Sequence, residues 1–227
     1  MKNFKIIKKN NLTNLFPCDK TWENSNQIEI CEYRKESSDH HPKTTVNLCY
    51  DKLGLYIYFN VNDAFTKAIH KNNQEQVCED SCVEFFVKPK NVKGYFNFEF
   101  NPIGTILSFY ITDHTRTKNL FKEYTVIEKT DLELIKIDSK FKKIIKEEIS
   151  STWYIKAFIP FDFFAKYAKS FTTPEIGETW SGNFYKCGDK TSHPHWGAWQ
   201  EVPELNFHLP KSFGKLIFMD YNREISL

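Results

Sequence analysis

Glycine is scarce in this chain, with eight in 227 residues, beside nine prolines and two methionines. So few glycines leave little for backbone loops that cradle phosphate. Neither the glycine-rich nucleotide signature nor the Gly-x-Ser-x-Gly nucleophile elbow occurs. An excess of one charge is also lacking. The 31 basic and 29 acidic side chains give a formal net charge of +2, which offers no footprint for nucleic acid or an anionic membrane. No apolar run reaches the roughly 20 residues of a spanning helix. The stretch from Met1 to Phe16 has lysines but no continuous apolar segment of a secretory leader. A cytoplasmic protein and one whose leader has been replaced both remain open. With no repeat and no Pro/Gly-rich linker, the chain reads as one domain over residues 1–227. The six cysteines (Cys18, Cys31, Cys49, Cys78, Cys82 and Cys187) are expected to be free and mostly buried, because a domain this large does not need bridges.

Aromatic residues are abundant, at 16% of the chain. Period-two alternation of aromatic and β-branched residues predicts strands over most of the length. Candidates are Gln27–Tyr33, Thr44–Tyr50 and Leu55–Asn62, followed by a polar loop of about fifteen residues after Asp63. Val77–Pro89, Tyr95–Asn101 and Thr105–Ile111 then form an antiparallel meander with short turns. The pattern between Asp113 and Ser151 is weak and reads as strands and loops. Trp153–Ile159 is another strand, Pro160–Ala168 a short helix with proline in its first turn, and Trp180–Cys187 and Phe213–Asp220 are the last strands. About ten strands and one short helix predict an all-β, antiparallel β-sandwich.

Two places combine residues that suit ligand chemistry. If Phe85 faces Phe98 across the hairpin, Glu84 falls opposite Glu99, and a one-residue slip would expose the phenylalanines. Opposed residues have Cβ atoms about 4.5–5.5 Å apart, so the two carboxylates repel unless a cation, a raised pKa or ligand hydroxyls relieve them. A retaining glycosidase uses such a spacing, and a divalent cation would bridge it. The plain alternative is two side chains splayed into solvent. Asn97 shares their face, and Arg116, just past the meander, is placed to approach them.

The second place is the loop carrying Trp196 and Trp199. Either ring would serve as satellite core beneath a loop, or as a platform for the apolar face of a sugar ring whose hydroxyls need carboxylates and amides. Cys187, Asp189, His193 and His195 are ligand-competent, yet their spacing matches no tetrahedral zinc pattern. His40, His41 and His114 read as surface histidines.

The segments EDSCVEFFVKP, YFNFEFNPIGT, WSGNFYKCGD, HWGAW and NFHLPKSFG, in this order from about Thr21 to Phe218, resemble the family 9 carbohydrate-binding modules. The resemblance implies a DOMON-like, jelly-roll-like sandwich that binds sugar without catalysis, two rings clamping a saccharide end. Carried over by position, it places a strand carboxylate at Glu84 and polar partners at Asn97 and Glu99. It also implies Asn183 and Tyr185 on a further strand and a platform ring at Phe207. The second clamp, a tryptophan, falls on Cys78, so Trp196 is the expected substitute. Structural calcium comes with the resemblance; Glu79 and Asp80 are its candidate ligands, although no EF-hand-like loop is present. A hydrolase using Glu84 and Glu99 is the alternative. A haem or other apolar-ligand binder ranks last, with no histidine seen on the meander face.

Overall fold

In a computed structural model, residues 1–9, 22, 25–118 and 120–220 are described. Cys18 and Thr21 lie outside them. Among the described residues fourteen strands run in chain order. The first five are β1 (Asn3–Lys8), β2 (Gln27–Ile30), β3 (Glu32–Tyr33), β4 (Lys43–Tyr50) and β5 (Gly54–Ala68). The meander is β6 (Cys82–Lys88), β7 (Tyr95–Phe100) and β8 (Ile106–Thr117). After it come β9 (Leu120–Val126), β10 (Lys136–Ser139) and β11 (Ile145–Pro160). The chain closes with β12 (Thr179–Cys187), β13 (Trp196–Ala198) and β14 (Gly214–Met219). Two short α-helices, α1 (Lys129–Leu132) and α2 (Phe161–Tyr167), and two 3-10 turns, Val77–Glu79 and Pro210–Ser212, complete the described elements, α2 being the expected one. None of the described helices is long and apolar enough to cross a membrane.

The hydrogen-bonded order is β10-β11-β5-β4-β1-β14-β12-β6-β7-β8-β9. This ladder folds over on itself. Ile57, Phe59 and Val61 of β5 and Trp153, Ile155 and Ala157 of β11 share one buried cluster with Val83, Phe85 and Val87 of β6 and Phe96, Phe98 and Phe100 of β7. The result is a sandwich whose halves meet along β1. That seam corrects the all-antiparallel expectation, since β1 runs parallel to both β14 and β4. The sheet is therefore mixed. Alternation along a strand fixes which face is buried, but it is silent on the direction of the neighbour.

Two other boundaries differ. The segment after Asp63 continues β5 to Ala68, because β11 is long enough to pair it that far, through a register shift, with Ile145 opposite Ala68. The weak region from residue 113 contributes the ends of β8 and β11 and all of β9 and β10, largely exposed on one face, which blurs the apolar period.

The outer face of the second half carries the site. There a second cluster, Phe86, Tyr95, Ile111, Phe121, Tyr185, Ala198, Val202 and Phe213, is roofed by the segment 188–213. Gly214 permits this roof. A Cβ there would overlap the Trp199 ring and stand 3.0 Å from the Lys2 carbonyl oxygen.

Candidate ligand-binding cleft

Glu84 sits opposite Glu99, and Phe85 opposite Phe98, in the register that core burial demanded. The same face of β12 contributes Tyr185, directly across from Glu84, and Cys187, across from Cys82. Between this face and the 188–213 segment lies a cleft of about 320 Å³. Its walls include Glu84, Glu99, Arg116, Asp189, Trp196 and Phe207. Neither of the two rings is swallowed by the core. Both are half-buried at the edge of a small cluster that also holds Val77, Cys82, Leu107 and Cys187.

Each ring is held by its neighbours. The Trp196 indole nitrogen donates to Asp189 Oδ1 at 2.8 Å, and its backbone nitrogen donates to Ser37 Oγ at 2.9 Å. Phe207 lies flat on Tyr185, with centroids 4.1 Å apart and planes 12° from parallel. The Tyr185 hydroxyl fixes this stack by donating to the Phe207 carbonyl at 3.1 Å. One face of Phe207 is thus covered, and the ring lines the cleft. Arg116 lies over the Phe121 ring, its guanidinium carbon 4.4 Å from the centroid.

The acidic pair has little water, with Glu84 at 3% and Glu99 at 6% exposure. Burial pushes the Glu84 carboxyl well up, and the charge of Glu99 pushes it further. Burial also raises Glu99, against the hydrogen bond that Asn97 donates. Carboxyls this close and this dry keep a proton between them near neutral pH. They therefore offer an O–H donor beside several acceptor lone pairs, a mixed set suited to the hydroxyls of a ligand. The Cys187 thiol adds a donor to Glu84 Oε1 at 3.1 Å.

Three of the expected site residues share this face but lie beneath the cleft, fully buried. Asn97 donates from Nδ2 to Glu99 Oε1 at 2.8 Å, and its Oδ1 accepts from the Phe109 backbone at 2.6 Å. Asn183 spends its side chain on both backbone groups of Gln200, 2.8 and 2.9 Å away. Tyr185 supports Phe207. These side chains position the walls and contribute no free rim groups. Glu84, Glu99, Arg116, Trp196 and Phe207 are the members brought together.

The calcium candidates are engaged with other partners of the chain. Asp80 accepts from the Ile69 and His70 backbone nitrogens at 3.0 Å and from Asn101 Nδ2 at 2.9 Å. Glu79 is paired with Lys190 at 2.7 Å. The Cys187, Asp189, His193 and His195 group also disperses. His195 Nε2 accepts from Lys186 Nζ at 2.7 Å, away from Asp189, which holds Trp196. Lys186 itself is fully buried, 3.5 Å from Asp63. His40 belongs to this buried set through Asp63 Oδ1 at 2.8 Å, which corrects its reading as a surface histidine.

Asp189 and His208 were missed as cleft walls. Asp189 was legible only as one of four scattered metal ligands. His208 adjoins Phe207 in an irregular segment with no period to orient it, and its Nδ1 meets the Tyr95 hydroxyl at 2.9 Å. Trp199, by contrast, is core, at 4% exposure, as one of the two readings of that ring had it.

Residues 18–218 match the family model described as carbohydrate-binding family 9. Among curated proteins no match is found. The chain is similar in structure to a Bacteroides uniformis protein whose carbohydrate-binding assignment is provisional: TM-score 0.81, 24% identity, 96% of this chain and 99% of that one covered. It is also similar to a family 9 carbohydrate-binding module from Caldicellulosiruptor kristjanssonii, solved with glucose (TM-score 0.62, 12% identity, 96% of each chain). The same organism's module solved with cellotriose gives TM-score 0.64 and 12% identity over 100% of this chain and 98% of that one.

Proposed function

The chain belongs to carbohydrate-binding family 9, and on that premise we propose that it holds a saccharide end in the cleft between Trp196 and Phe207. Its function is non-catalytic carbohydrate binding. In the proposed arrangement the two rings cover the apolar C–H faces of the sugar. Glu84 and Glu99 exchange hydrogen bonds with its hydroxyls, and Asp189 and Arg116 reach the rim. The observation that carries this reading is the convergence of half-buried rings and buried carboxyls on one cleft. The similar modules solved with glucose and cellotriose make glucose and cello-oligosaccharides the ligands to test first.

Titration with these sugars, followed by tryptophan fluorescence and calorimetry, tests the proposal. Trp196→Ala should weaken binding by at least about thirtyfold, the effect of losing an anchoring aromatic. Unchanged affinity in that variant would rule the platform out. A reducing-sugar release assay should show no turnover. Turnover that disappears in Glu84→Gln would put the hydrolase reading ahead.

A further inference from the structure

Beneath the cleft, three ligand-competent side chains converge in a way that sugar binding alone does not require. Cys82 and Cys187 face each other across β6 and β12, and Glu84 follows Cys82 on the same face of β6. One ligand atom from each lies within 4.8 Å of the other two. All three side chains are buried, at 0%, 3% and 1% exposure for Cys82, Glu84 and Cys187. Both cysteines are free thiols.

We propose that Cys82, Glu84 and Cys187 form a site for a thiophilic divalent cation, Zn²⁺ first, whose fourth position opens into the cleft. Two sulfurs and one carboxylate suit a borderline-soft ion that accepts four ligands. Calcium and magnesium, which take oxygen ligands, are selected against. Glu84 and Cys187 line the cleft, so the ion enters there, and water or a ligand hydroxyl completes its shell. Binding displaces the two thiol protons, and the carboxyl proton as well when Glu84 carries it, so affinity rises with pH. Two thiolates and a carboxylate around a divalent ion leave one net negative charge. Lys186, its Nζ 2.8 Å from the Cys187 carbonyl oxygen, is placed to offset it. Because Glu84 serves both sites, cation and saccharide are linked through one side chain. Cation binding itself does not rest on the sugar reading.

The test uses the full chain, reduced and metal-free, with no sugar present. Co²⁺ should bind at one equivalent with tetrahedral visible bands and a near-ultraviolet thiolate charge-transfer band. Zn²⁺ should displace it and Ca²⁺ should not. Cys82→Ser and Cys187→Ser should each diminish the charge-transfer band and weaken binding by at least about a hundredfold, whereas Cys31→Ser leaves both unchanged. If the two variants do not fold, zinc-edge X-ray absorption of the unaltered protein decides: one bound Zn²⁺ should show two sulfur neighbours at about 2.3 Å. An octahedral Co²⁺ spectrum without the thiolate band, or a zinc shell without sulfur, overturns the proposal. A separate saccharide titration keeps the two readings apart, since either site can fail while the other stands.

Discussion

Glu84 and Glu99 face each other across neighbouring strands, both buried. Their meeting was legible in the sequence because the register is fixed by phenylalanines on the opposite face, and the structure has that register. What alternation could not reveal is how dry they are, since that depends on a covering segment distant in sequence. Dryness sets a measurable consequence. At pH 8 the pair is under pressure to give up its shared proton, and the repulsion then opposes folding. Glu99→Gln keeps an oxygen to accept from Asn97 and removes the charge. We expect its melting temperature at pH 8 to rise by a few degrees, while its sugar affinity falls. A lower melting temperature, measured by calorimetry, would show that the pair is not strained. Asn97, Asn183 and Tyr185 make the complementary point. Their face was readable from period two, but whether a polar side chain on that face meets ligand or backbone is decided by what lies above it.

At the scale of elements, the roof from 188 to 213 is the part least visible in the sequence. It is mostly irregular, with the short strand β13 as its main regular piece, so no periodicity says which residues turn inward. Trp196 and Trp199, three residues apart, have opposite fates: one edges the cleft, and the other fills the core against Phe4 and Phe184. Gly214 is where the roof is seated, because the Trp199 ring occupies the space a side chain would need. Gly214→Ala should therefore destabilise the fold by about 1–3 kcal/mol, the usual scale for overpacking a core. Urea denaturation measures this directly. A neutral result would mean that the ring moves aside freely, and an unchanged cleft would then be expected.

For the whole molecule, buried titratable groups pull stability in opposite directions with pH. Burial, aided by the charge of Lys186, pushes His195 down to about 2. Burial likewise holds His208 well below the usual histidine range. Both stay neutral in the folded state but gain protons on unfolding below about pH 6.5, so stability is lost as pH falls, by up to about 1.4 kcal/mol per pH unit for each. The Glu84–Glu99 pair has the opposite sign. Its raised folded pKa stabilises the fold fully below the unfolded value and loses that contribution as pH rises. Between roughly pH 4.3 and 6.5 the two effects oppose each other, and below about 4.3 the histidine loss is joined by that of carboxyls held below their ordinary range, Asp63 and Asp131 among them. Stability against pH should thus show a shoulder before it collapses. The Glu84→Gln/Glu99→Gln double variant should lose that shoulder and decline from about pH 6.5 onward. A profile identical to that of the unaltered protein would contradict this balance.

The overall class, by contrast, was written in the alternation of β4 to β8. The seam escaped, since pairing direction leaves no mark on which residues are apolar. Yet the direction of β1 matters mechanically. Because β1 and β14 run the same way over Asn3–Lys8 and Gly214–Met219, a pull between the start of one and the end of the other acts along the ladder. Its hydrogen bonds are then loaded in shear, all together, and do not peel apart one after another. The fold should therefore resist tension best along that line.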